Sequence, residues 1–391
     1  MLAGVWAAAA YFLWTSSTVP GDLRLPHLDV TRYFSARALD RAEDFARFER
    51  WNWVASQIAV LLAFGYYALR GERYMRESAA GRIGTGMLLG MLGFAIAWLV
   101  QIPFTVLDFW WQRRHGLTSG NILEYILGNW LALAGEFLFL CLALLIVMGL
   151  AGFLGRRWWI LGGPAFVGVA ALFLFVSPYL TSLKRLPDPT LRAQAHAIAT
   201  KEGVGGVPIR VEKVSDRTKA VNAYAFGLGP SRRVVLWNTF LNGGYTGGEL
   251  RVVIGHEYGH QAHFHLPKGL AWYALFVIPG AYLIERLTRR KGGMRNPAAV
   301  PLSLLVLVVL QLLSTPLTNV ISRRFEQEAD WSALQVTHDP ASAERLFRDF
   351  TRADYAVPSP PTWDYLVLED HPTPIQRIAM AKAWTARRAG R

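Results

Sequence analysis

Seven stretches of this chain are apolar over roughly the ~20 residues that a helix needs to cross a ~30 Å hydrocarbon layer. They are Leu2–Val19, Trp53–Leu69, Ile83–Leu107, Trp130–Leu154, Trp158–Leu180, Gly269–Ile284 and Ala299–Leu317. In lipid a backbone must satisfy its own hydrogen bonds, so the expected form is a bundle of about seven transmembrane helices. The first stretch has no basic leader and no A-x-A cleavage site, so it reads as a retained span and not a signal peptide. The sixth is short and contains Pro279-Gly280, which predicts a bent or tilted helix. Trp110, Trp111, Trp158 and Trp159 stand at span ends, as interfacial anchors do.

Composition agrees: 52% of the 391 residues are hydrophobic, 15 are Trp and only 18% are charged. The net charge of +13 does not point to nucleic acid. The basic residues sit in short stretches between apolar runs, such as "RRKGGMR" at 289–295, where loop charge is expected. The lone Cys141 excludes an intramolecular disulfide framework.

The spans divide the chain into an N-terminal membrane region (1–180), a polar segment (181–268), two further spans (269–321) and a polar tail (322–391). One span pair separates the two polar segments, so they share a side of the membrane and can build one site. In the first, 188–203 has an amphipathic helical pattern with Leu191, Ala195 and Ile198 on one face. Residues 207–214 alternate like a strand, and 222–241 read as two strands around a Gly-Pro-Ser turn. Thr246 and Glu249 form a capping-box pattern, which starts a helix that must stop before Pro267.

That helix carries "VVIGHEYGHQAHFH" (252–265). His256 and His260 are four residues apart and share a face, the spacing at which two imidazoles chelate a tetrahedral Zn²⁺. Glu257 lies beside them as the candidate general base for a water attacking a carbonyl. His263 and His265 do not fit the HExxHxxGxxH template, because Gly is missing at 263 and His at 266. They read as surface or interfacial histidines. A third ligand is better sought in "NVISRRFEQEAD" (319–330), if the last span continues into it as a helix. There a carboxylate at Glu326 or Glu328 would complete two His, one acid and an open position, with Asp330 orienting a ligand histidine. The alternative is that these acids pair with Arg323 and Arg324.

Together, "VNAYAFGLGPSRRVVLWNT", "HEYGH", "NVISRRFEQEAD" and "DHPTPIQRI" (370–378) resemble, in this order and spacing, the type I CAAX prenyl protease family of integral-membrane zinc metalloproteases. More distantly they resemble the bacterial heat-shock membrane proteases. The resemblance implies a mainly α, polytopic membrane protein with a zincin-like catalytic domain of helices and a small β-sheet. It makes His256, His260 and Glu326 the ligands of one zinc per chain and Glu257 the base. It gives Asp330 and Arg377 supporting roles behind the ligands. Asn222 and His371 become oxyanion donors, and the strand containing Ala223 and Tyr224 a partner for extended substrate. The implied activity is hydrolysis of membrane-associated or lipid-linked polypeptides. General quality-control proteolysis of membrane proteins is the alternative, and a zinc-stabilised scaffold without turnover a third reading. A base beside the ligands, useless to a scaffold, argues against the last.

Arg outnumbers Lys 34 to 7, and the chain ends "TARRAGR" without a dilysine signal. Both features suit a bacterial inner-membrane protein. Loop charge leans slightly against a cytoplasmic site, whereas the resemblance places the site in the cytoplasm. Glu136 in the fourth span and Asp108 at the end of the third are costly in lipid. They are expected to line a water-filled chamber or to pair between helices.

Overall fold

The apolar stretches fold as helices in the computed structural model, which describes residues 2–74, 81–127 and 130–390. The first, α1 (Leu2–Thr15), contributes 14 described residues, about 21 Å of helix. Its apolar run ends in Ser16-Ser17-Thr18, where the chain leaves the helix and passes to the side that carries the polar segments. Among the described residues six helices are long and apolar enough to cross, against the seven expected. These are α2 (Ala36–Arg70), α3 (Gly81–Arg114), α5 (Trp130–Leu154), α6 (Trp159–Leu180), α10 (His265–Thr288) and α11 (Val300–Thr337); the short α4 (Ile122–Leu127) follows α3. Large apolar side chains such as Leu62, Phe153, Phe173 and Leu313 remain exposed on them, as a lipid-facing surface requires. Pro279 lies inside α10 without ending it.

The helices exceed the apolar stretches where polar sequence continues their register. The first turns of α2 precede its apolar run by more than ten residues. There buried Arg50 pairs with Glu43 at 2.6 Å and with Asp364 of the C-terminal segment. The 38 residues of α11 make a rod roughly 57 Å long, far more than the membrane needs. Its C-terminal third therefore projects into the polar region with Glu326 and Asp330 on it.

The polar region packs α7 (Pro189–Lys201), α8 (Asn238–Asn242), α9 (Gly247–Ala262), α12 (Pro340–Ala353), α13 (Thr362–Val367) and α14 (Pro374–Ala389) around a four-stranded sheet. The strands are β1 (Leu183–Arg185), β2 (Ile209–Glu212), β3 (Ala223–Phe226) and β4 (Arg233–Trp237), in spatial order β1-β2-β4-β3. β2 runs parallel to β4, and the outer strands are antiparallel. Val234, Leu236, Ile254 and Leu346 are buried in its core, with Leu191, Ala195 and Ile198 of α7. β3 is an edge strand.

Two glycines set the distance between α9 and α11. A Cβ on Gly255 would lie 3.2 Å from Ala333 Cα, and one on Gly259 3.0 Å from Ser332 Cβ and 3.3 Å from Ala329 Cα. The two helices are therefore nearly in backbone contact, which brings Glu326 within reach of the histidines.

Candidate metal centre

The helix α9 begins with a reciprocal capping box: Thr246 Oγ1 accepts from the Glu249 amide, and Glu249 Oε2 accepts from the Thr246 amide. From that start His256 and His260 project side by side, with their Nε2 atoms 3.0 Å apart. Glu326 reaches in from α11, Oε2 lying 3.1 Å from His256 Nε2 and Oε1 3.3 Å from His260 Nε2. One donor atom from each of the three falls within a single 4.8 Å cluster.

The fit to a metal can be tested on these distances. Bonds of ~2.0–2.1 Å in a tetrahedral zinc site put neighbouring ligand atoms roughly 3.3 Å apart, close to the three separations seen here. Glu326 Oε2 is buried and receives no hydrogen bond of acceptable geometry, although two imidazole nitrogens lie within 3.3 Å. Burial opposes a charge on His256, yet Glu326 and Asp330 outweigh it and hold the ring up at about 10. Two imidazole nitrogens and a carboxylate oxygen this close together are a donor set that suits a divalent cation.

Behind His256, its Nδ1 lies 2.9 Å from Asp330 Oδ1. Asp330 accepts from Arg377 of α14 at 2.8 Å (Nε to Oδ2) and 2.5 Å (Nη2 to Oδ1). Glu257 is buried beside the trio. Burial raises its pKa, opposed by the neighbouring histidines. His371, about half exposed, hydrogen-bonds Asp370 at 2.6 Å and has Nε2 3.3 Å from Glu326 Oε2. Burial lowers its pKa, but Asp370 and Glu326 leave it raised overall.

The centre lies between two cavities. One, of about 500 Å³, is bounded by Asn222, Ala223, His256, Glu257, His371 and Arg377 among others. The second, of about 1090 Å³, is almost wholly apolar and lies among the membrane helices, with His260, Glu326 and Ala225 on its wall. Tyr224 turns aside and donates to Glu212 Oε2 at 2.8 Å. Glu136 is exposed on α5, and Asp108 bonds Gln112 and Tyr125; neither bounds either cavity.

Two residues differ from expectation. His265 is 4% exposed and not superficial, and His263 is largely covered, 3.1 Å from Ser332 Oγ. The reason is Phe264, a non-glycine residue at φ 57, ψ 38. That left-handed residue ends α9 and turns the chain so that His265 opens α10 beneath His260. Periodicity carries no signal for it. Glu328, the other candidate acid, faces away from the trio and bonds His265 Nε2 at 2.9 Å. Arg323 and Arg324 do not pair with Glu326. The first donates to the carbonyls of Tyr365 and Glu369, and the second lies over the Trp14 ring.

Six helices long and apolar enough to cross a membrane, among the described residues, joined to a largely buried two-histidine, one-glutamate centre define a multi-pass membrane protein of metallopeptidase type. The model of "Peptidase family M48" matches residues 185–385, half of the chain, and the chain belongs to that family. It is 28% identical over 58% of its length to "Uncharacterized metalloprotease YhfN" of Bacillus subtilis (strain 168), covering 57% of that protein. It is 26% identical over 63% of its length to the "CAAX prenyl protease 1 homolog" of Arabidopsis thaliana, covering 62% of it. The matched part thus spans less than two thirds of these curated relatives. The fold is shared with the crystal structure of S. mikatae Ste24p at a TM-score of 0.74 and 17% identity, over 97% of this chain and 96% of that one. The resemblance to CAAX prenyl proteases therefore holds, and family membership implies a metal cofactor.

Proposed function

We propose that this chain is a membrane-embedded zinc endopeptidase that cleaves membrane-associated or lipid-linked polypeptides in the manner of CAAX proteases. The observation that carries the reading is the convergence of His256, His260 and Glu326 beside buried Glu257, where a polar cleft meets an apolar intramembrane cavity. His256, His260 and Glu326 would hold one zinc per chain. Bound there, zinc would supply Lewis-acid chemistry, polarising a carbonyl and making a water more acidic.

The chain's own residues do the rest. Asp330, backed by Arg377, keeps His256 in its ring orientation. Glu257 takes the proton of the attacking water as the C–O bond forms, then delivers it to the amine nitrogen as the C–N bond breaks. His371 and Asn222 donate hydrogen bonds to the oxyanion on the former carbonyl. The free edge of β3 at Ala223 and Tyr224 pairs with an extended substrate segment. The apolar cavity accepts the substrate's lipid or apolar side chains. The protein resides in a bacterial inner membrane with the centre on the cytoplasmic side.

The apolar cavity also suits a second reading, quality-control cleavage of misfolded membrane proteins, because it offers few polar groups to select one apolar ligand over another. Terminal proteomics of membrane fractions, with and without Glu257→Gln, tests both. CAAX-like processing predicts few new termini, near substrate C-termini, that vanish in the variant. Scattered termini favour quality control. An identical set in both strains would remove the enzymatic reading.

A further inference from the structure

His260 has a partner behind it as His256 does, but a different one. Its Nδ1 lies 2.8 Å from Nδ1 of His265, whose Nε2 is 2.9 Å from Glu328 Oε2. Glu328 in turn accepts from the Thr18 amide at 2.5 Å, and Lys268 Nζ lies 3.5 Å from it. Glu328 and His265 are 1% and 4% exposed. On an unbroken helix, residue 265 would stand roughly 140° around the axis from residue 260, so this contact exists only because Phe264 turns the chain.

Chemistry fixes the direction of these hydrogen bonds. Only one hydrogen fits between two Nδ1 atoms 2.8 Å apart. If His260 Nε2 offers a lone pair to the centre, its Nδ1 must carry the hydrogen, so His265 Nδ1 accepts. Neutral His265 then carries its own hydrogen on Nε2 and donates it to Glu328. The opposite arrangement would put a hydrogen on His260 Nε2 and close it to a metal. Each ligand histidine thus ends on a carboxylate with a cation nearby: Asp330 with Arg377, and Glu328 with Lys268. For His260 the carboxylate acts through a second imidazole. Glu328, through the Thr18 amide, and Lys268, whose Nζ donates to Ser16 O at 2.8 Å, also tie the segment after α1 to the centre.

We propose that His265 and Glu328 are positioning residues of the metal centre, fixing the ring and tautomer of His260 so that Nε2 faces His256 and Glu326. This rests on the reading of those three residues as the ligands. Removing a group that orients a ligand in this way typically lowers metal affinity about 10–100-fold.

The test is zinc affinity of the purified full-length protein, by competition with a chelator, together with the visible spectrum of the cobalt(II)-loaded form. The variants are His265→Ala, His265→Gln, Glu328→Ala and Glu328→Gln, with His196→Ala, an exposed histidine on α7, as the control outside the relay and Glu326→Ala as the ligand reference. Expected are affinities about 10–100-fold lower for both alanine variants, with an altered cobalt spectrum. Glu328→Gln, which keeps an acceptor oxygen, should recover most of the loss, and His196→Ala should match wild type. Affinities and spectra of the His265 and Glu328 variants within twofold of wild type, while Glu326→Ala has lost zinc, would overturn the positioning role alone. Zinc kept at full affinity in Glu326→Ala would overturn the ligand reading and this proposal with it. If an alanine variant does not fold, the glutamine variants decide the matter by the same two readouts.

Discussion

Arg377→Met is the perturbation whose cost the structure defines best. The guanidinium side chain is 11% exposed and the Asp330 side chain 5%. Two hydrogen bonds join them, and the guanidinium lies 4.2 Å over the Phe347 ring. Met fills much of the volume but leaves Asp330 buried with only His256 Nδ1 against it. Removing one partner of a buried ion pair costs about 3–5 kcal/mol, because the remaining charge is uncompensated. Asp330→Asn strands the guanidinium in the same way, so it should cost a similar amount. In the double variant neither charge is left alone, and its loss should fall short of the summed single losses by about 1–3 kcal/mol. The assay is equilibrium unfolding in detergent on metal-stripped protein, which removes the contribution of zinc binding to apparent stability. Additive losses, within about 0.5 kcal/mol, would refute the claim that Asp330 and Arg377 compensate each other in the buried cleft.

Three further outcomes are expected. Metal analysis should find zinc lost in Glu326→Ala but kept, more weakly held, in Glu328→Ala; the reverse pattern would exchange their roles. His371→Ala should retain zinc and substrate affinity but lose ~10²–10³ in kcat, measured by steady-state cleavage, as removal of one oxyanion donor does. Burial, with Asp364 and Asp370 nearby, holds Glu369 up at about 7 against the usual 4.5 of a glutamate. The folded state therefore binds its proton more tightly than the unfolded chain does. This stabilisation is present below about pH 4.5 and disappears as pH rises to about 7. Glu369→Gln should flatten that part of the stability–pH curve, and an unchanged slope would show that Glu369 does not produce it.

How much of this could be read from the residues depends on the range of each interaction. The His256–His260 spacing is a property of one helix turn, and the capping box at Thr246 and Glu249 announces where that helix begins. The register of Glu326 and Asp330 needed only the continuation of the last span. Glu326 and Glu328 were indistinguishable by spacing, because what separates them is the direction from which α9 approaches. That approach depends on Gly255 and Gly259 meeting Ala329, Ser332 and Ala333 across 74 positions or so of chain. The place of His265 is illegible in the sequence for another reason. Its place rests on one left-handed backbone at Phe264, a conformation that the residue type argues against. The first apolar stretch reads to Val19 by hydropathy, while its helix stops at Thr15, because hydropathy carries no signal for where a helix ends. His371 and Arg377 came from the family resemblance and from no local pattern.

The central claim is that Glu257 moves the proton in a reaction at a metal held by His256, His260 and Glu326. The most direct test measures zinc content and peptide cleavage on the same preparations of wild type and Glu257→Gln. Because the substitution keeps the side-chain volume and leaves the three ligands intact, the account predicts about one zinc per chain in both proteins. It also predicts cleavage reduced by at least the ~10²–10⁴ that a general base supplies. Zinc retained with cleavage near the wild-type rate would contradict it.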